Sequence, residues 1–213
     1  MPRDPKSTNP PGTPKARAYH HGDLRRELLS AAQNLLAEVG PNGVTIRALA
    51  AQVGVSHMAL YRHFDNRDDL VSELAEACFQ QLAGRLGRAI AAGSDEPSRV
   101  LRRVIRAYVL YAVEHSAAYR LMFATGIPLG SRFEAVAGLG YDRILEVVQE
   151  CLAAINPGTR SPAEQDRIAT VACGMLHGLA TLAIEGSIPK GRPVEALMDT
   201  ATSLIISGLA ERI

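Results

Sequence analysis

The chain has 213 residues, 47% of them hydrophobic and 21% charged, with a formal net charge of +1. That length suits one helical domain plus a small module, and the apolar content supports a substantial core. The three cysteines, Cys78, Cys151 and Cys173, are widely spaced and form no CxxC or Cys/His cluster. They therefore give no sign of a metal site or a disulfide framework, and a reducing, cytoplasmic compartment is expected. The net charge alone says nothing about nucleic acid, but its distribution does. Residues 1–63 hold 8 Lys/Arg against 4 Asp/Glu, and residues 64–213 hold 15 against 18. Positive charge thus collects at the N-terminal end, as a phosphate-binding surface requires.

Residues 1–20 combine Pro2, Pro5, Pro10, Pro11 and Pro14 with Arg3, Lys6, Lys15 and Arg17. Nothing there can form a core, and a disordered, Pro-rich basic arm is expected rather than a signal peptide. From Lys15 to His21 two readings stay open, an inert tail or an arm reaching DNA phosphate or the minor groove. Asp23 is expected to cap a first helix running to Val39, with Leu24, Leu28, Ala31, Leu35 and Val39 on one face. Gly40-Pro41-Asn42-Gly43 then stops it.

Thr45 to Arg67 reads TIRALAAQVGVSHMALYRHFDNR, two short helices around a tight turn. Thr45 can cap the first, which has Ile46, Leu49 and Val53 at helical spacing. Gly54 supplies the left-handed backbone that ends it, because glycine adopts positive φ without steric cost. Val55 is expected to tuck back toward the first helix, while Ser56 caps a second helix running to about His63. Leu60 and Phe64 look inward, and His57, Met58, Tyr61 and Arg62 are left facing out. Small, turn and apolar positions in this order build a DNA-binding helix-turn-helix, which makes 21–67 the DNA-binding segment.

Asp65-Asn66-Arg67-Asp68-Asp69 opens a long helix to about Ala91, with acidic residues favouring the helix dipole. It should act as a semi-rigid lever into the remaining domain, 68–213. Further helices are expected over 98–114, 117–124, 131–155, 162–185 and 193–212, separated by loops such as Gly93–Pro97, Gly126–Gly130 and Asn156–Gly158. The total is about nine in an all-α fold, since alternating strand patterns are absent. Ile168 to Ala183 is uncharged but shorter than the ~20 residues of a membrane span. It is expected to be a buried helix, and no membrane partner is expected.

In the last two helices Ile168, Val171, Met175, Gly178 and Leu182 step by three and four, as do Val194, Leu197, Ala201, Leu204 and Gly208. These are coiled-coil-like seams of four-helix-bundle geometry. Two-sided apolar helices at the end of a chain favour a partner, so a homodimer is expected there, through Val171, Met175, Leu182, Leu197, Ala201, Leu204 and Gly208. The chain contains no glycine-rich phosphate loop, GxSxG or HExxH, and no cysteine beside a base, so an enzyme is not expected and neither is a cofactor or metal. Glu114, His115 and Tyr119 read as a solvated helix corner.

The run VTIRALAAQVGVSHMALYRHFDNRDDLV, with Thr45, Ala50, Gly54, Val55, Leu60, Tyr61, His63 and Phe64, resembles the tetracycline-repressor-like (TetR) family of transcriptional regulators. The likeness extends back through LLSAAQNLLAEVG. Leu176-His177-Gly178 also resembles a subgroup with a Trp, His and Gly signature, with Cys173 standing where the Trp would be. By geometry the N-terminal half of the helix from Ser56 faces base edges with His57, Met58, Ala59 and Arg62. Thr45, Tyr61, His63 and Arg67 suit phosphates, and Arg47 suits either. The resemblance implies DNA contacts at Arg47, His57, Ala59, Tyr61, His63 and Arg67. It further implies a ligand-released repressor on a palindromic double-stranded operator, with a small, largely apolar effector. Tyr108, Tyr111, Met122, Phe123, Tyr141 and His177 are the candidate effector contacts. The rival reading is a helical small-molecule-binding module with no role on DNA.

Overall fold

The computed structural model describes the whole chain except residues 1–20, 94–95, 125–141, 143–144, 148, 151–152, 155–160 and 211–213. The basic arm, Tyr141, Cys151 and most of the helix expected over 131–155 lie outside the described residues. Eight helices are described: α1 (His21–Gly43), α2 (Ile46–Val53), α3 (His57–Leu60), α4 (Arg67–Ala91), α5 (Pro97–Glu114), α6 (Ser116–Met122), α7 (Pro162–Ile184) and α8 (Val194–Ala210). Residues 142, 145–147, 149–150 and 153–154 are helical too and belong to a ninth. No strand occurs among the described residues, and the fold is all-α.

The N-terminal module is a three-helix unit. α1 is helical from His21, so Asp23 falls inside its first turn rather than ahead of it as a cap. Gly40 breaks the helix with φ 70°, and Pro41 to Gly43 form a separate short turn. Leu28, Ala32, Leu35 and Leu36 are the buried face of α1. Val39 is exposed rather than part of that face, and a Cβ at Gly43 would collide with it.

α4 joins this module to the rest. Its N-cap Asn66 accepts from the Asp69 N–H at 2.9 Å, and the Asp69 carboxylate accepts from the Asp65 N–H at 3.0 Å. One orphan donor of the first turn and one just ahead of it are thereby satisfied, and Asp68 and Asp69 complement the helix dipole. The helix passes Gly84 and Gly87 without a break and buries one continuous stripe, Leu70, Val71, Leu74, Ala75, Cys78, Phe79, Leu82 and Leu86.

α5 starts with Pro97 at its first turn, where a missing N–H removes no helical bond. Its apolar face meets α4, α7 and α8. Ser161 and Glu164 form a full capping box ahead of α7, with the Ser161 Oγ accepting from the Glu164 N–H at 3.3 Å and the Glu164 Oε2 accepting from the Ser161 N–H at 2.9 Å.

α7 is not the buried helix expected from its composition. An 18-residue stretch of it has a mean hydropathy of 1.5, apolar and long enough to cross a membrane, yet only 22% of that stretch is buried. Ala169, Ala172, Leu176 and Ala180 turn inward. The physical reason is its all-round apolarity: one stripe satisfies the core of this chain and a second faces out.

Candidate functional site

The helix-turn-helix is built by local chemistry. Thr45 Oγ1 accepts from the Ala48 N–H at 3.1 Å, starting α2. Gly54 ends it with φ 71° and ψ 29°, and the Val55 N–H returns to the Ala50 carbonyl at 3.1 Å. The left-handed Gly54 swings the chain outward, so Val55 is exposed instead of tucked onto α2. Ser56 Oγ accepts from the Ala59 N–H at 3.3 Å and starts α3.

α3 proper closes at Leu60, earlier than the end near His63 read from the sequence. Tyr61 to His63 continue as a tighter turn, with the His63 N–H bonded to the Leu60 carbonyl at 2.8 Å and the Phe64 N–H at 2.9 Å to the same oxygen. The cause is Phe64, which is fully buried and draws the chain into the core. Leu60 and Phe64 thus pin α3 from beneath. Ser56, His57, Met58, Tyr61 and Arg62 stand outward beside Arg47, while Thr45, Ala59 and His63 are half-buried at the edges. Met58 is 64% exposed.

The Arg67 guanidinium, expected at a phosphate, reaches two backbone carbonyls in the free protein. Its Nε donates to the Val44 carbonyl at 3.0 Å and an Nη to the Pro41 carbonyl at 3.2 Å, with Asp68 at 3.9 Å. The guanidinium clamps the turn between α1 and α2, and so holds the start of α2 in place. Arg25, which sequence reasoning missed, does a similar task. It pairs with Glu73 of α4 and lies 5.4 Å from the Phe64 ring centroid. No local signal links residues that far apart in the chain.

Behind this module the expected effector contacts separate into two groups. Tyr108 and His177 come together, but through Tyr119, which is only 1% exposed and not the solvated corner expected. The Tyr108 and Tyr119 hydroxyls are 3.0 Å apart, and the Tyr119 hydroxyl is 2.7 Å from His177 Nδ1. The Phe123 ring centroid lies 4.8 Å from that of Tyr119 and 4.4 Å from that of His177, and Phe79 of α4 lies 5.6 Å from Phe123.

Tyr111 belongs elsewhere: its hydroxyl donates to the Cys78 carbonyl at 3.0 Å, under α4. Met122 is buried. Glu114 and His115 are exposed, and Glu114 pairs with Arg85. Burial pushes the Tyr108 hydroxyl up to about 12, raises Tyr119 and lowers His177, so all three groups are held neutral. The Cys78 and Cys173 thiols are pushed up to about 12 by burial and stay protonated. Among the described residues no three His, Cys, Asp or Glu side chains gather as a metal-binding set.

Of the expected dimer contacts, Val171 (67%) and Leu204 (58%) are exposed, as is Leu182, while Met175, Leu197 and Gly208 are half-buried. Ala201 instead turns into the chain's own core, and so do Met198 and Ile205. The outward stripe of α8 therefore passes through Leu204 and misses Ala201.

The N-terminal residues 28–74 match the model of bacterial regulatory proteins of the tetR family, and residues 101–205 match that of the tetracyclin repressor-like C-terminal domain. The chain belongs to the TetR family. The tetracycline repressor class A of transposon 1721 from Escherichia coli is 28% identical over 205 residues, covering 87% of this chain and 89% of that protein. The HTH-type transcriptional repressor KstR2 of Rhodococcus jostii is 32% identical, over 44% of this chain and 46% of that protein, so this match spans about half of its length. A protein of unknown function from Rhodococcus sp. RHA1 superposes with a TM-score of 0.78 at 34% identity, covering 92% of this chain and 100% of that one. This TetR-family chain is a DNA-binding transcriptional regulator, and Thr45 to Arg67 lies inside the matched N-terminal segment.

Proposed function

We propose that the protein is an effector-released repressor that binds a palindromic operator as a homodimer and acts in the cytoplasm as a binding protein, not as an enzyme. The observation that carries this reading is the outward set His57, Met58, Tyr61 and Arg62 on a helix pinned from below by Leu60 and Phe64. A helix presented in this way fits the major groove, with His57, Met58, Ala59 and Arg62 at base edges. Thr45, Tyr61 and His63 flank it as phosphate contacts, Arg47 serves either, and Arg67 supports α2 from behind.

Exposed Val171, Leu182 and Leu204 supply the apolar face for a second copy. Two-fold symmetry would place two copies of α3 in successive major grooves, so the operator repeats as a palindrome. An apolar effector held near Tyr108 and His177 acts through α4, which links the aromatic cluster at Phe79 to the module at Arg67. It weakens DNA binding only by preferring the form in which the two α3 helices are misplaced.

A gel shift on the palindromic stretch upstream of its own gene, run at rising salt against random DNA of equal length, tests the reading. Retention of the palindrome alone, weakening as salt rises, is expected. Equal retention of both sequences would leave the protein without sequence-specific function.

A further inference from the structure

The three-group relay of Tyr108, Tyr119 and His177 has a direction, which follows from counting protons. Each tyrosine hydroxyl carries one proton, and a neutral imidazole carries one N–H. In one arrangement Tyr108 donates to Tyr119 across 3.0 Å, and Tyr119 donates to His177 Nδ1 across 2.7 Å. The ring proton of His177 then sits on Nε2. In the reverse arrangement His177 Nδ1–H donates to Tyr119 and Tyr119 donates to Tyr108. The Tyr108 proton is then left with no acceptor among the described residues, on a side chain only 6% exposed. A buried donor without a partner is the costlier state, so the first arrangement is the stable one.

It leaves His177 Nε2–H as the open end of the relay. His177 is half-buried, with its ring centroid 4.4 Å from that of Phe123, and Nε2 meets no acceptor among the described residues. A lone neutral donor beside Phe123, itself packed on Phe79, asks for one acceptor oxygen on an otherwise apolar body.

Resting on the effector reading above, we propose that His177 Nε2–H selects a neutral carbonyl oxygen (a ketone, ester or lactone on an apolar skeleton) and discriminates against a carboxylate. A carboxylate is best met by imidazolium. Charging His177 makes Nδ1 a donor, reverses Tyr119 and strands the buried Tyr108 proton. The relay therefore opposes the charged state, beyond the effect of burial on the ring. A neutral carbonyl leaves the relay as it stands.

Two measurements on the full chain test this. In the ligand-free protein the ¹⁵N shifts of the His177 ring should show the Nε2–H tautomer, and an Nδ1–H tautomer would overturn the inference without any ligand. In calorimetry, octan-2-one should bind about tenfold or more tightly than octanoate, and His177→Phe should lose that advantage. Tyr108→Phe removes the proton that opposes reversal, so it should narrow the gap by improving octanoate binding, which a purely structural tyrosine would not do. Octanoate equal to octan-2-one, no heat from octan-2-one, or an unchanged preference in His177→Phe each overturns the proposal. Retention of the palindrome in a gel shift, scored on the same preparation, separates these failures from a failure of the DNA-binding reading.

Discussion

On the proposed reading, His57 and Arg67, ten residues apart, serve DNA binding by different physics. His57 is exposed at the first position of α3, free to meet a base edge. His57→Ala should lose about 1–3 kcal/mol on the operator and little on random DNA, relaxing selection at one base pair. Equal losses on the two, in paired titrations, would place His57 on the backbone instead. Arg67 donates to the Val44 and Pro41 carbonyls. Arg67→Ala should therefore reduce folding stability by about 1 kcal/mol in urea denaturation and weaken all DNA alike by loosening α2. Full stability with lost DNA affinity would instead make it a phosphate ligand. Gly54 gives the cleanest backbone test: a Cβ there would meet no neighbouring group within 4 Å, but its φ is 71°. Gly54→Ala should thus cost about 1–2 kcal/mol through backbone conformation alone, measured in the same urea titration. Thr45, Gly54 and Ser56 are legible in the sequence because each acts within four residues of its own position. Tyr119 is not, because its partners Tyr108 and His177 are 11 and 58 residues away.

At the scale of elements, α7 and α8 show how a three-four repeat specifies an apolar stripe without saying which way it points. Leu204 and Ala201 lie three residues apart in one expected seam, yet Leu204 is exposed and Ala201 is core. Their glutamate variants should behave oppositely. Leu204→Glu should give a folded monomer in analytical ultracentrifugation with near-native helicity. Ala201→Glu should unfold or lose several kcal/mol, because an unpaired carboxylate would be buried. A dimer of unchanged affinity in Leu204→Glu would remove this face as the interface. α4 makes a different point. Its interior Gly87 has open space where a Cβ would sit, so Gly87→Ala should stabilise the protein by about 0.5–1 kcal/mol and stiffen the lever. Thermal unfolding checks the first effect, and effector response at fixed operator affinity checks the second.

Across the whole molecule, one rod joins the helix-turn-helix to the aromatic cluster. The 25 residues of α4 span about 37 Å, from the Arg67 clamp past Phe79. A change at Phe123 and His177 is thereby mechanically connected to α1, through Phe79 and through the Arg25–Glu73 pair. Full release of DNA, from 1:99 to 99:1, needs an effector preference of about 10⁴-fold, or ~5.5 kcal/mol, between the two forms. Breaking the tie between α1 and α4 with Glu73→Gln should lower that coupling while leaving effector affinity for the free protein intact. Unchanged induction in this variant would show that the signal travels by another route.

The all-helical fold, the caps and turn of the helix-turn-helix, and the family likeness carried by Leu60, Tyr61, His63 and Phe64 could all be read from the residues alone. These are short-range properties: a cap, a left-handed glycine and an apolar period are complete within a few residues. Other features exist only once the helices pack. Packing turned Arg67 onto carbonyls, sent Ala201 inward and Leu204 outward, moved Tyr111 away from the aromatic cluster, and brought Tyr119 between Tyr108 and His177. Each of these depends on how α4, α5, α6, α7 and α8 rotate about their own axes as they come together. That rotation is settled by the joint filling of one core and by the pairing of buried polar groups, which no single segment of the chain encodes.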